Sequence, residues 1–295
     1  MLFVVDSNNF LLRNIGGYGF RDSGGGVLQT STGIETGMLL GAINSFISLQ
    51  NRFEFDKLVF CFDAGRSTYR LGIRSSYKSN RNSISDPVEM YSLKPQFGYF
   101  QEFLEILGIA WTREPGVEAD DYIATLCKTA TEPVIVLSAD HDLLQLVSDT
   151  VTVLRPSQGR TPEVMYTPEA VMAKYGLPPD KLAQMWAIMG DTGDGIIGIP
   201  KVGPVTATKM ILKYGTLSDT LANEEKCNGY ERIVRDNYRM IVLDGSVAKL
   251  PDGLNLSFDP GYPSELRRYF ERFELNSLIR RFDLQRLWMQ DEKDQ

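Results

Sequence analysis

Three short apolar runs in the first half of the chain each lead to an aspartate. Leu2–Val5 passes directly into Asp6, Leu58–Phe62 into Asp63, and Val134–Leu137 reaches Asp140 after Ser138 and Ala139. The runs are nearly continuous and bounded by polar residues, the pattern of strands buried on both faces. Helical periodicity lies between them, over Gly37–Leu49, Pro95–Leu107 and Ala119–Ala130. This alternation predicts an α/β domain with a mostly parallel sheet flanked by helices. Val151–Leu154 is a further strand candidate. Open parallel sheets bind ligands beyond the carboxyl ends of their strands. Three strands are therefore expected to bring three aspartates to one edge.

The character changes near residue 166. Pro168–Tyr175, Lys181–Met189, Pro204–Lys213, Tyr230–Leu243 and Leu266–Arg281 all read as helices, interrupted by the turn-rich Gly190–Gly203. The expected division is an α/β domain over 1–166 and a smaller helical domain over 167–295, packed together without a long linker. The N-terminus reaches Asp6 with no basic region or cleavage site, so no signal peptide is expected. No apolar run approaches the ~20 residues of a membrane span. Cys61, Cys127 and Cys227 are odd in number and far apart, which points to reduced thiols in a cytoplasmic protein.

More acids join the three aspartates. Glu118, Asp120 and Asp121 open a predicted helix, whose dipole favours carboxylates. Asp142 follows Asp140 by two residues, and Asp191 and Asp194 share the turn Gly190-Asp191-Thr192-Gly193-Asp194. Any one of them alone reads as a cap or turn residue. Brought together without cations they repel, and several would have to protonate. His141 is the only histidine, which excludes a multi-histidine metal site. Oxygen donors without His or Cys favour hard ions such as Mg²⁺ or Mn²⁺. Two such ions ~4 Å apart activate water and hold both oxygens of a phosphodiester displacement. The formal net charge is −7. Setting these nine acids aside leaves 29 acids against 31 bases, so the acidic total is compatible with a DNA-binding face.

Arg66, Arg70, Arg74 and Lys78 recur every fourth residue, Arg81 follows, and no acid stands between Asp63 and Asp86. Helical spacing puts most of them on one ridge. A solvated basic face is the plain reading in a generic protein. Directly after an acidic cluster, a phosphate-binding arch near 66–92 is the expectation, weakly helical because of Gly72 and its serines. Gly198-Ile199-Pro200-Lys201-Val202-Gly203 reads as a hairpin between helices. Gly198 and Gly203 let backbone N–H groups approach a phosphate, and Lys201 adds charge. A calcium-loop reading fails, because the position eleven after Asp191 is Val202 rather than Glu.

These motifs resemble those of the flap endonuclease family, which includes bacteriophage 5′→3′ exonucleases and the 5′-nuclease domain of bacterial DNA polymerase I. Val4-Val5-Asp6 and Phe60-Cys61-Phe62-Asp63 resemble its first two acidic motifs. Gly116–Asp121 is similar to the third, and Ser138–Leu146 to the fourth. Tyr77-Lys78-Ser79-Asn80-Arg81 resembles its arch motif, and Gly190–Pro204 its helix–three-turn–helix segment. The resemblance runs from Leu2 to about Leu212.

It implies a PIN-like fold with a helix–three-turn–helix near 181–214. Asp6, Asp63, Glu118, Asp120 and Asp140 would surround one metal. Asp142, Asp191 and Asp194 would serve a second, with Asp121 nearby. Lys78 and Arg81 would neutralise the scissile phosphate, and Tyr77 would stack on an unpaired base. Arg66, Arg70, Arg74, Gly198, Lys201 and Gly203 would contact DNA, and K⁺ would bind at the hairpin. The implied substrate is DNA with 5′ ends, flaps or nicks, cut in replication or repair by a monomer without a sliding-clamp peptide. No polymerase domain follows, so a free-standing bacterial or phage enzyme is the expectation. His141 and Gly195 depart from the family's usual Lys/Arg and Asn. A haloacid-dehalogenase-type phosphatase is the enzymatic rival, but it requires an acid where Asn8 stands. A DNA-binding module with vestigial acids is the other rival, disfavoured by the complete carboxylate set.

Overall fold

The computed structural model describes residues 1–15, 28–79, 87–259 and 263–281. Arg81, the glycine-rich stretch after Ile15 and the polar tail lie outside the described residues. The strands are β1 (Leu2–Asp6), β2 (Lys57–Cys61), β3 (Ala110–Thr112), β4 (Val134–Leu137), β5 (Val151–Arg155), β6 (Val164–Tyr166), β7 (Gly190–Asp191) and β8 (Ile196–Ile197). The helices are α1 (Ser7–Leu12), α2 (Gly37–Arg52), α3 (Thr68–Ile73), α4 (Pro87–Ile106), α5 (Ala119–Thr129), α6 (Pro168–Tyr175), α7 (Leu182–Met189), α8 (Pro204–Tyr214), α9 (Leu217–Asn223), α10 (Glu231–Ile241) and α11 (Ser264–Arg272). The chain clusters into two compact units. The first takes residues 1–8, 61–85 and 112–253, and the second takes the rest. Helices α6 to α10 thus share a unit with β1, β4 and β5, and the compact units do not divide at 166.

In the first unit, β1 pairs in parallel with β4, Leu2 opposite Val134 and Val5 opposite Leu137. β4 pairs in parallel with β5, and β6 closes this side antiparallel to β5. β1 is buried along its whole length, which explains its unbroken apolar run. Parallel pairing turns the carboxyl ends of β1 and β4 the same way, so Asp6 and the Ser138–Asp140 turn emerge together.

Local signals set the helices beyond 167. Thr167 caps α6 by accepting the Ala170 N–H, Pro168 occupies its first turn, and Gly176 closes it at φ +69°. Pro204 opens α8 in the same way.

The second unit is held by aromatic packing. Phe60 and Phe100 meet edge-on at 5.4 Å between ring centroids, and Phe46 and Phe103 at 5.7 Å. Such pairs add about 0.5–1.5 kcal/mol beyond area burial. Gln96 Oε1 of α4 accepts the Leu39 N–H of α2.

Two expectations change. α4 starts at Pro87 rather than Pro95, which lies inside the helix. Both prolines carry the same N-terminal signal, and the sequence does not say which one opens the helix. The basic ridge of 66–78 is not one helix. α3 ends at Ile73, Arg74 is extended, and Lys78 takes φ +53°.

Candidate metal centre

All nine acids fall within the first unit. Asp6 is buried, and its Oδ2 accepts the Ser138 hydroxyl at 2.6 Å. Ser138 Oγ in turn accepts the Asp140 N–H at 3.0 Å. One serine therefore ties the ends of β1 and β4 together, a role the sequence reading missed. The short Ser-Ala-Asp spacing was its only signal. Asp63 Oδ1 accepts the Ala119 N–H at 2.7 Å, at the first turn of α5. That helix start satisfies both a carboxylate and an orphan donor. Asn8, where a haloacid-dehalogenase-type phosphatase needs an acid, uses its Oδ1 to accept the Asp63 N–H at 3.2 Å.

Asp120 lies among these groups. Its pKa is held well above the carboxylate range by burial first, then by Asp140 and Asp6, while Lys78 opposes the shift. Asp142 opens a short 3-10 turn, and its N–H donates to Asp140 Oδ1 at 2.9 Å. Burial and the Asp140 charge push Asp142 up to about 7.

Asp191 and Asp194 come from the hairpin of β7 and β8. Asp142, Asp191 and Asp194 each present a carboxylate oxygen, and these atoms lie within 4.8 Å of one another. Asp140, His141 and Asp142 form a second such group. His141 is exposed, 3.3 Å from Asp142 and edge-on to Trp186. Oxygen donors this close, with Asp120 and Asp142 shifted toward their protonated forms by burial first and then by neighbouring acids, fit hard divalent cations.

Among the described residues, Lys78 and Arg70 face the acids. Lys78 Nζ is 2.8 Å from Glu118 Oε1 and 3.7 Å from Asp194. Burial alone would lower the Lys78 pKa, but Glu118, Asp194 and Asp120 outweigh it and raise it. The Lys78 N–H also donates to the Asp194 carbonyl at 3.0 Å. Arg70 is buried rather than exposed on a ridge. Its two terminal nitrogens grip Asp121 at 2.7 and 2.8 Å, one of them also meets Glu118 at 3.0 Å, and Nε donates to the Met240 carbonyl at 2.7 Å. Both oxygens of Asp121 accept from this guanidinium. Tyr77 packs against the same acids as Lys78. It is 3% exposed, and its hydroxyl donates to Glu118 at 3.1 Å and to Asp194 at 3.3 Å. Burial first and then Glu118 raise its pKa.

Arg66 is exposed and donates to the Tyr77 carbonyl at 3.3 Å. Arg74 is half-buried on Asn237 at 2.9 Å. Lys201 is exposed at φ +63°, and Gly203 is exposed at the start of α8 with open space around it. Gly198 is a glycine for a different reason than the sequence suggested. A Cβ there would meet the Met189 carbonyl carbon at 2.1 Å and Gly190 N at 2.4 Å. Backbone packing inside the hairpin demands it, whether or not a phosphate approaches.

A family model described as 5′-3′ exonuclease, N-terminal resolvase-like domain, matches residues 1–176. A second, the C-terminal SAM fold of 5′-3′ exonucleases, matches residues 177–265. The chain is 36% identical over 263 residues to DNA polymerase I of Mycobacterium tuberculosis, covering 85% of this chain but 28% of that protein. It thus spans under a third of the curated polymerases it matches. It is 31% identical over 293 residues to a 5′-3′ exonuclease of Aquifex aeolicus, covering 96% of this chain and 95% of that one. Among solved structures, the fold is similar to the bacteriophage T5 D15 flap endonuclease in complex with DNA and metal ions. That match has a TM-score of 0.67 and 21% identity, over 82% of this chain and 89% of that one.

Proposed function

Because the chain belongs to the 5′-3′ exonuclease family, we propose that it hydrolyses DNA phosphodiester bonds at 5′ ends, flaps or nicks. The observation that carries this reading is the all-oxygen trio of Asp142, Asp191 and Asp194 beside the strand-end acids. Asp6, Asp63, Glu118, Asp120 and Asp140 would hold one Mg²⁺ or Mn²⁺, and the trio a second. When bound, such ions activate water and stabilise charge on the phosphorus oxygens.

The chain's own residues do the rest. Ser138 holds Asp6 and Asp140 at one edge. Arg70 fixes Asp121 and one oxygen of Glu118. Lys78, against Glu118 and Asp194, would neutralise charge developing on a phosphate. Lys201, Gly203 and the start of α8 offer positive charge and N–H groups to a duplex backbone without reading sequence. Arg66 and Arg74 add charge along the same segment, Arg81 would act with Lys78, and K⁺ at the hairpin belongs to the same reading. The protein would act as a monomer in the cytoplasm, in replication or repair.

Cleavage of a 5′-labelled flap and of a nicked duplex, with Mg²⁺, Mn²⁺ or EDTA, tests the reading. Activity is expected with either ion and none in EDTA. Robust cleavage in EDTA would exclude cation-dependent chemistry at these acids.

A further inference from the structure

The trio of Asp142, Asp191 and Asp194 comes from two separate elements, the 3-10 turn after β4 and the β7–β8 hairpin. Its ligand spacing therefore depends on something that holds both. Two side chains do this, and both lead to α10.

Asn237 of α10 is fully buried. Its Nδ2 donates to the Ile197 carbonyl of β8 at 2.8 Å and to the Ala187 carbonyl of α7 at 3.0 Å. Ala187 is in the last turn of α7, where helical carbonyls lack partners within the helix. Asn237 Oδ1 accepts Arg74 Nη2 at 2.9 Å. The amide thus fixes the hairpin at the strand that pairs with Gly190 and Asp191.

On the other side, Gln145 Nε2 donates to the Asp142 carbonyl at 2.9 Å and to the Ile241 carbonyl at 3.1 Å. Its Oε1 accepts the Leu243 N–H at 2.9 Å. Gln145 therefore fixes Asp142 to the carboxyl end of α10.

We infer that Asn237 and Gln145 are positioning residues that brace the two halves of the carboxylate trio on α10 and so set its cation affinity. The inference rests on the reading of the trio as a cation site and adds what spaces it. Neither residue touches the trio's carboxylate oxygens. A carboxylate at 237 would face two carbonyl oxygens, and a hydroxyl, with one proton to donate, would keep at most one of the two bonds to those carbonyls. Partners that orient ligands in this way typically cost 10–100-fold in metal affinity when removed.

The test is Mn²⁺ titration of the DNA-free protein by calorimetry, for wild type, Asn237→Ala, Asn237→Ser, Gln145→Ala and Asp194→Ala. Asn237→Ser serves where Asn237→Ala fails to fold, and circular dichroism checks each variant. One class of Mn²⁺ sites is expected to weaken roughly tenfold in each bracing variant, at the low end of the usual range for such partners. Excess Mn²⁺ should restore single-turnover cleavage, which a general loss of structure would not allow. Wild-type Mn²⁺ affinity in folded Asn237→Ser and Gln145→Ala, with binding lost in Asp194→Ala, overturns the brace and leaves the cation site standing. Unchanged binding in Asp194→Ala as well removes the cation site, and the brace falls with it.

Discussion

At the scale of single residues, the two lysines separate chemistry from attachment. Lys78 lies against Glu118 and Asp194, whereas Lys201 is exposed on the hairpin loop. Lys78→Ala is expected to lower the single-turnover rate about 10²–10³-fold at saturating enzyme, as loss of one charge-stabilising donor does. Lys201→Ala should leave that rate intact and reduce the salt slope of DNA binding by about one unit. Full recovery of the Lys78→Ala rate at saturating enzyme would make it a steering charge only. Asp121 offers a different contrast. Asp121→Asn leaves the buried Arg70 with Glu118 as its one remaining carboxylate among the described residues, and stability should fall in a urea melt by less than the about 3–5 kcal/mol of a buried charge left wholly unpaired. Mn²⁺ affinity of the folded variant should not change, and a tenfold loss would return Asp121 to the ligand set. The acids were legible in the sequence because a strand end dictates where its next residue emerges. Arg70 and Tyr77 were not. A spacing of four looks the same whether the side chain faces solvent or folds under the chain onto Glu118.

At the scale of elements, the hairpin is the part most sensitive to a single methyl group. Gly198→Ala places a Cβ on the Met189–Gly190 backbone, where no side chain is available to give way. A lowered melting temperature and weakened Mn²⁺ binding are expected together, since Asp191 and Asp194 sit in the same hairpin. Gly203→Ala meets open space and should melt within about 0.5 kcal/mol of wild type, as surface changes do. Equal melting of the two variants would show that the close approach is not maintained in solution. Helices α6 and α8 were legible because their caps are local: Thr167, Pro168, Gly176 and Pro204. The end of α3 was not, because Gly72 and the serines weaken a helix without saying where it stops. The bracing role of α10 was also invisible, because Asn237 and Gln145 reach carbonyls 40 to 96 residues away.

At the scale of the whole molecule, the crowded acids set how stability responds to pH. Asp120 and Asp142 hold protons in the folded, cation-free state well above the 3.8 expected of a free aspartate, Asp142 to about 7. Between those limits the folded state binds more protons than the unfolded one. Stability of the cation-free protein therefore falls as pH rises from about 4 toward 7. Bound cations replace the protons, so Mn²⁺ should raise the melting temperature more at pH 7.5 than at pH 5. Melting curves at both values, with and without Mn²⁺, check this, and equal stabilisation at the two would contradict it.

The register of β1 on β4 also bears on how the protein is made. Leu2 pairs with Val134 and Val5 with Leu137. At ~5–20 residues per second, a ribosome delivers that partner strand on the order of ten seconds after β1 has left the exit tunnel. For that interval a strand buried along its whole length has no neighbour on this side, and it is the natural place for a chaperone to hold. Asp191 and Asp194 emerge later still, so a chain terminated early carries Asp6 and Asp63 but never the hairpin. Unfinished copies would then never complete the trio of Asp142, Asp191 and Asp194.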